Sequence, residues 1–248
     1  RLPTPALSPW VLKPFAVVHS RFREVLLLDA DNVPVRNPEY LFDSPSFRRT
    51  GAVFWPDYGR LAPNRSAWAV FDVPYQDEPE FESGQLLVNK ARCGRALRLA
   101  LWYNEHARFF YQHVFGDKET FHLAFRRLGA PYAMPARPIH TLPGAMCQHD
   151  FQGRRLFQHR NTAKWRLFGA NARVRGFQRE AECLEFLREL GQRWNGRVTL
   201  RPPQNKGQVQ PPRLPSRFRD VSVAACMISC RERDPVRRQT LAHLARTD

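Results

Sequence analysis

The stretch "REVLLLDADNVPV", residues 23–35, runs four apolar residues directly into two aspartates, Asp29 and Asp31. Residues 25–28 are valine and leucine only, which is typical of a strand that is buried on both faces. A buried strand excludes charged side chains unless they are paired or bound to a metal, so we expect the aspartates where the chain leaves the sheet. Side chains two apart on a strand share a face, and both carboxylates are therefore predicted to point the same way.

Strands and helices alternate around this stretch. The segment "LKPFAVVHSRF" predicts a short helix, and "GAVFW" and "QLLV" predict further strands. A helix is predicted from about Arg92, and "DKETFHLAFRRLG" predicts another that ends at Gly129. The segment "QREAECLEFLRELGQRW" predicts an amphipathic helix with four apolar side chains on one face, Cys183, Phe186, Leu187 and Leu190. This order predicts an α/β sheet flanked by helices, whose ligands gather at the carboxyl ends of the strands.

Composition divides the chain into three parts. Residues 1–200 hold the strands and helices described above, and the proline- and arginine-rich residues 201–218 predict a semi-extended linker. Residues 219–248 predict one buried strand and one helix, which cannot bury a core alone. We therefore expect the start of a second, truncated α/β domain there; a tail that packs back on the main domain is the alternative.

The chain is strongly basic, with a net charge of +16 from 39 basic and 23 acidic residues. Residues 137–179 contain nine arginines and lysines but a single acid, Asp150. Such a field attracts the phosphate of a nucleotide, a nucleic acid or a lipid head group, although a solvated basic surface explains it equally. The sequence has no run of 18 apolar residues, and its five cysteines contain no CxxC pair. A membrane span, a zinc site and a disulfide framework are therefore not indicated.

Paired carboxylates at a strand end suit Mg²⁺ or Mn²⁺, which complete their coordination shell with phosphate oxygens. Two classes of enzyme place a DxD motif there. In sugar-nucleotide glycosyltransferases the metal bridges the carboxylates and the donor diphosphate. In haloacid-dehalogenase-type phosphatases the first aspartate is the nucleophile of a DxDx[TV] pattern, which "DADNV" matches, so Asp29 would be that nucleophile.

Further blocks favour the transferase. The segments "DADNVPVRNPEYLF", "FWPDY", "ESGQLLVNK", "GDKETFHLAF" and "LFQHRNTAKW" together resemble the fungal-type α-mannosyltransferases of the GT-A class. These are retaining enzymes that extend mannans. The resemblance implies a GT-A-like mixed sheet flanked by helices, a GDP-mannose donor and a saccharide acceptor. It also implies a divalent cation, Mn²⁺ or Mg²⁺, bound by Asp29 and Asp31.

Related retaining enzymes place a late histidine on the same metal, followed by a lysine and a tryptophan. The segment "HRNTAKW" supplies His159 as the third ligand and Lys164 as the following lysine, although its spacing is one residue different and its Gly and Pro are missing. Lys164, with Arg160 near it, would offset the charge that grows on the departing phosphate. The pair His149 and Asp150 in "CQHDFQG" is the rival set of ligands.

Retention of configuration requires a nucleophile beneath the sugar or front-face attack assisted by the leaving phosphate, and carboxylates are the candidates. We expect these from Glu82, before the "SGQLLVN" strand, and from Asp117, which would contact the donor sugar or serve as a helix N-cap. Gly84 would let the sugar approach the backbone closely. The other expected donor or acceptor contacts are Gln85, Lys118, Trp55, Tyr58 and Trp165, and core packing is the alternative for the aromatic ones.

Two other functions fit less well. The phosphatase needs a Ser or Thr at a second strand end, a lysine and a late acidic pair, of which only "GDKE" is a match. An RNA- or phospholipid-binding module suits the charge but leaves "DAD" unexplained and lacks a recognisable motif. We therefore expect no nucleic-acid partner, while peripheral association with a membrane stays open.

Only 28 residues precede Asp29, fewer than the strand–helix–strand portion that holds the nucleotide base in GT-A domains. The nucleotide-binding strands are therefore expected to be missing from this chain. The expected compartment is the cytoplasm for a bacterial protein and the Golgi lumen for a fungal one.

Overall fold

The structure, a computed structural model, describes residues 9–196 and 226–228. Its helices are α1 Leu12–His19, α2 Pro45–Thr50, α3 Ala67–Val70, α4 Lys90–Glu105, α5 Ala107–Phe110, α6 Asp117–Arg127 and α7 Glu180–Arg193. Its strands are β1 Glu24–Leu28, β2 Asn32–Pro34, β3 Ala52–Arg60, β4 Pro79–Asn89, β5 His140–Leu142, β6 Ala145–His149, β7 Arg155–His159 and β8 Cys226–Ile228. The α/β class, with helices flanking sheets, is confirmed.

The central sheet has the strand order β3-β4-β1-β8, and its neighbouring strands are antiparallel. Residues 25–28 of β1 are all buried, as the valine and leucine run predicts. Their side chains alternate between two cores, with Val25 and Leu27 in one and Leu26 and Leu28 in the other. A strand with both faces buried has no room for the aspartates, so the charged pair falls just beyond Leu28.

The two cores lie on opposite faces of this sheet. Helices α1, α4 and α6 cover the first face, where the Phe54 ring packs against Phe81 and Phe125 at centroid distances of 4.5 and 4.9 Å. The second core joins the central sheet to the second one, with Trp55 of β3 packed edge-on against Phe157 of β7 at 5.2 Å. This second core fixes how the two sheets meet.

The second sheet has the order β2-β7-β6-β5, again with antiparallel neighbours. Strand β2 follows β1 after residues 29–31 alone. The "DAD" turn is therefore the connection between the two sheets. Asn32 of β2 is paired with His159 of β7, which brings the late histidine to this connection.

The structure differs from the sequence predictions in two places. We expected a mixed sheet with ligands at the carboxyl ends of its strands, whereas the strand pairs within both described sheets are antiparallel and the parallel contact is an isolated bridge, Val53–Ala133. The predicted apolar face of α7 is only partly covered: within the described part of the chain none of its residues is fully buried, and Phe186 is exposed. Periodicity identified the helix but not a partner for it.

Across residues 9–196 and 226–228, every helix is too short or too polar to cross a bilayer. The predicted linker, residues 201–218, lies outside the described residues. So does the predicted second domain, residues 219–248, apart from β8, which pairs with β1. Both stay predictions.

Candidate metal centre

Backbone hydrogen bonds fix the turn at residues 29–31. The Asp29 amide donates to the Gly84 carbonyl at 2.8 Å, and the Arg160 amide donates to the Asp31 carbonyl at 3.0 Å. The buried side chain of Asn32 donates to the same Gly84 carbonyl at 2.8 Å. The aspartates lie in a turn rather than on one face of a strand, and contacts with both sheets position them.

Three side chains converge at this turn. His159 Nε2 lies 3.1 Å from Asp31 Oδ1 and 3.8 Å from Asp29 Oδ2. One ligand atom of each residue lies within 4.8 Å of the others, so the three form a candidate cation site. The imidazole is buried and the carboxylates are partly exposed, which leaves one open side for further ligands.

Electrostatics couple these groups strongly. Burial alone would raise the pKa of Asp31, but His159 and Lys164 outweigh it and lower that pKa to about 2. Burial alone would lower the pKa of His159, but the carboxylates of Asp31 and Glu82 outweigh it and raise that pKa to about 9. The imidazole therefore carries a proton that a bound cation would have to displace.

The residues present fit a divalent cation. Neither ring nitrogen of His159 makes an aligned hydrogen bond with a described residue, although carboxylate oxygens lie 3.1 and 3.5 Å away. Buried polar atoms without hydrogen-bond partners are unusual in the interior of a folded protein. Two carboxylates and an imidazole are donors that Mn²⁺ accepts, and Mg²⁺ accepts the carboxylates.

Two lysines flank the cluster. Lys164 donates to Asp31 Oδ2 from a largely exposed position. Lys13 of α1 donates to Asp29 Oδ2 at 2.9 Å and to the Ser83 hydroxyl at 3.1 Å. Burial alone would lower the pKa of Lys13, but Asp117 and Asp29 outweigh it and raise that pKa. Lys13 was not among the residues expected at the site, although it is the lone lysine in the otherwise apolar segment "LKPFAVV".

Glu82 and Gly84 of β4 lie behind the imidazole. The Gly84 amide donates to Glu82 Oε1 at 2.7 Å, and that oxygen lies 3.5 Å from His159 Nδ1. A Cβ atom on Gly84 would lie 2.5 Å from the same nitrogen, so the position of the histidine requires glycine here. Gln85 is fully buried and accepts from Asn32 at 2.5 Å, which makes it a support of the turn.

Asp117 lies on the other side of Lys13. Its Oδ2 is 3.6 Å from Lys13 Nζ and has no aligned hydrogen bond among the described residues. Burial raises the pKa of Asp117 even though Lys13 opposes the shift. The helix N-cap is Gly116 instead, so the capping interpretation of Asp117 is wrong by one residue. The chain Asp29–Lys13–Asp117 therefore links the turn to the start of α6.

Lys118 takes part in a different cluster. Its Nζ donates to Asp57 at 2.6 Å and to Glu80 at 2.8 Å and lies 3.7 Å from Glu119 Oε1. Burial raises the pKa of Glu119 to about 7, because Lys118 compensates only in part. We expected Lys118 to contact the donor, and Glu119 was not among the expected site residues. The structure commits Lys118 to this ion cluster.

Arg160 and Trp165 are also placed elsewhere. The Arg160 side chain is fully buried and donates to the carbonyls of Ala163 and Ala172 and to Glu180. Its guanidinium lies 3.8 Å from the centre of the Trp165 ring. All of these partners belong to residues 160–180, so Arg160 holds this loop together and is not available to a phosphate.

The remaining candidates lie in structural positions or on the surface. Trp55 is fully buried and donates to the His149 carbonyl at 2.9 Å, so it packs in the core rather than on a sugar. Tyr58 is exposed and stays available to a ligand. Asp150, which with His149 formed the alternative pair of metal ligands, is not part of the Asp29–Asp31–His159 cluster. Its carboxylate instead accepts hydrogen bonds from the Tyr40 hydroxyl at 2.8 Å and from a backbone amide of its own turn.

Residues 4–80 and 69–159 match the model of a family described as "Mannosyltransferase putative". These segments cover more than half of the chain, so the protein belongs to this mannosyltransferase family. Asp29, Asp31 and His159 all lie within the matched segments.

Individual relatives agree with the family match. Alpha-1,2-mannosyltransferase MNN21 of Candida albicans is 31% identical in an alignment of 192 positions that covers 57% of this chain and 28% of that protein. Alpha-1,2-mannosyltransferase MNN2 of Saccharomyces cerevisiae is 28% identical in an alignment of 210 positions that covers 64% of this chain and 34% of that protein. The resemblance to fungal α-mannosyltransferases is confirmed. The chain spans about a third or less of the length of these relatives.

Proposed function

We propose that this chain is a segment of the catalytic domain of a metal-dependent, retaining α-mannosyltransferase of the GT-A class. It would transfer mannose from GDP-mannose to a saccharide acceptor. The convergence of Asp29, Asp31 and His159 within 4.8 Å, inside the segments that match the family, carries this proposal. Family membership supports the transfer of mannose, and the donor set supports a cation.

Asp29, Asp31 and His159 would hold Mn²⁺ or Mg²⁺, which would offset the negative charge of the donor diphosphate. The two lysines have different tasks. Lys164 has an exposed side chain and one carboxylate partner, so it is free to reach a phosphate oxygen. Lys13 is held between Asp29, Asp117 and Ser83, and it keeps both carboxylates in place.

The two candidate catalytic carboxylates, Glu82 and Asp117, also have different roles. The Glu82 carboxylate is engaged by the Gly84 amide and faces His159, so it orients the imidazole. Asp117 retains an oxygen without an aligned hydrogen bond next to Lys13. We assign contact with the donor sugar to Asp117, a role compatible with either route to retention.

A phosphatase that uses Asp29 as its nucleophile is not favoured, because the chain matches a mannosyltransferase family over most of its described length. Its distinguishing outcome is hydrolysis of p-nitrophenyl phosphate that Asp29→Asn abolishes. Transfer from GDP-mannose would then be absent.

The direct test is mannose transfer from GDP-mannose to α-mannobiose by the full-length protein that contains this segment, measured with Mn²⁺ or with EDTA. We expect activity in the presence of Mn²⁺ and none in EDTA. Asp31→Asn should lower the rate of transfer by at least about 10- to 100-fold, since even residues behind metal ligands have effects of that size. His140→Ala is the control, because His140 is an exposed residue of β5 outside the cluster. Unaltered turnover in Asp31→Asn would contradict the proposed metal role.

A further inference from the structure

Two adjoining surface cavities, of about 500 and 870 Å³, extend from Lys164 along residues 162–184. Asn171 and Ala172 line both, so the cavities form one continuous groove. Volumes of this size suit small ligands. Five cationic side chains line this arginine groove: Lys164, Arg166, Arg173, Arg175 and Arg179.

The cations of the groove exceed its acids. Two carboxylates line it, and Glu180 is already engaged by the buried Arg160 at 3.0 Å and by the Val174 amide at 3.0 Å. Glu182 lies 3.7 Å from Arg179. Arg166, Arg173 and Arg175 form no ion pair with any residue in the described part of the chain, although each is exposed at the groove.

Free arginines along a cavity attract an anion. A guanidinium presents its donors as a planar fork that binds phosphate through two parallel hydrogen bonds. The neighbouring Lys164 contacts Asp31, so a molecule in the groove would extend to the candidate metal centre. A neutral sugar would leave the three arginines without partners.

We propose that the arginine groove binds a phosphate-bearing saccharide, as a site separate from the metal centre. That the bound molecule is a saccharide rests on the proposed function, in which it would be the acceptor. That it carries a phosphate rests on the arginines alone. A phosphate could also come from the donor, whose diphosphate would need the metal centre, so the test separates the two sources.

The test is calorimetric titration of the full chain with mannose 6-phosphate in EDTA, with methyl α-mannoside as the neutral probe. We expect wild-type protein to bind mannose 6-phosphate more tightly than the neutral sugar. The double variant Arg173→Ala/Arg175→Ala should weaken that binding by roughly 5- to 30-fold, as expected for two exposed charge interactions. The matched control is Arg95→Ala/Arg98→Ala, which removes the same charge from exposed positions on α4.

Salt provides a readout that needs no variant. Raising NaCl from about 0.05 to about 0.5 M should weaken binding of mannose 6-phosphate and leave the neutral probe unchanged. Pyrophosphate reports on the metal centre through the part of its binding that requires Mn²⁺. We expect this Mn²⁺-dependent part to be lost in Asp31→Asn and retained in the double arginine variant.

Equal binding of mannose 6-phosphate by wild type and the double arginine variant would contradict the proposal that the arginine groove binds phosphate. Transfer to α-mannobiose in the same preparation would then leave the proposed function standing. Conversely, binding of mannose 6-phosphate that depends on the groove arginines, without any transfer from GDP-mannose, would contradict the proposed function and support the phosphate site.

Discussion

Asn32 of β2 is paired with His159 of β7, and this register places His159 Nε2 3.1 Å from Asp31 Oδ1. A shift of one residue in the pairing would present Gln158 or Arg160 at the turn instead. Both of these side chains are buried and bonded elsewhere, Gln158 to the Gln178 carbonyl and Arg160 to Glu180. The candidate metal centre therefore depends on the correct pairing of the second sheet.

Removal of the imidazole should abolish cation binding. We expect His159→Ala to weaken Mn²⁺ binding by about 100-fold or more, because a lost ligand exceeds the effect of changes behind the ligands. Electron paramagnetic resonance of free Mn²⁺ measures this directly. His140→Ala should bind Mn²⁺ as the wild type does, and equal affinity in His159→Ala would exclude the histidine as a ligand.

Substitution of Gly84 and of Gly94 by alanine should change the free energy of unfolding in opposite directions. In Gly84→Ala the added Cβ would lie 2.5 Å from His159 Nδ1, so we expect a loss of about 1–3 kcal/mol in unfolding free energy together with weaker Mn²⁺ binding. In Gly94→Ala the added Cβ meets only Arg98 Nη1, at 3.5 Å, in the middle of α4. We expect that variant to gain about 0.5–1 kcal/mol in unfolding free energy, with Mn²⁺ binding unchanged.

Urea unfolding and Mn²⁺ titration of both glycine variants check this pair. A Gly84→Ala protein as stable as the wild type would mean that the imidazole moves aside without cost, and the close approach would then not matter.

The buried Arg160 should be a stability residue and not a phosphate ligand. Arg160→Met leaves Glu180 without its charged partner and two carbonyls without their donors, so we expect a loss of about 3 kcal/mol or more. Arg188→Met, which removes an exposed arginine paired with Glu185, should change the midpoint of thermal unfolding little. A normally stable Arg160→Met protein that had lost only its affinity for pyrophosphate would contradict this role.

Glu119 should make stability depend on pH near neutrality. Its folded pKa of about 7 lies above its ordinary value, so the protonated form is favoured in the folded state. The stability due to this group is fully present below about pH 4.5 and is lost as the pH rises through 7. Glu119→Gln should therefore lose less stability than the wild type between pH 5 and pH 8, by on the order of 2–3 kcal/mol.

Thermal unfolding across that pH range measures the effect. Lys118 keeps Asp57 and Glu80 as partners in the Gln variant, so its own charge stays compensated. Parallel pH profiles for the two proteins would show that Glu119 is ionised in the folded state throughout.

Sequence patterns predicted the elements well where burial follows a simple period. The buried strand β1 and the helices α1, α4 and α6 lie close to where they were expected. The sheet directions could not be predicted in this way, because alternation of strands and helices is compatible with both parallel and antiparallel neighbours. The pairing of β1 with β4 depends on contacts more than 50 residues apart in the chain, such as Leu26 with Leu87.

The sequence by itself determined that Asp29 and Asp31 follow a strand with both faces buried, because four apolar residues admit no charge among them. It also determined the family, through blocks that recur in order. Only the tertiary structure decided which candidates meet. It brought His159, Lys164 and the unexpected Lys13 to the aspartates, and it committed Arg160, Trp55 and Lys118 to other partners. The physical reason is that spacing along a chain gives the face of an element, whereas strand register and burial decide which faces touch.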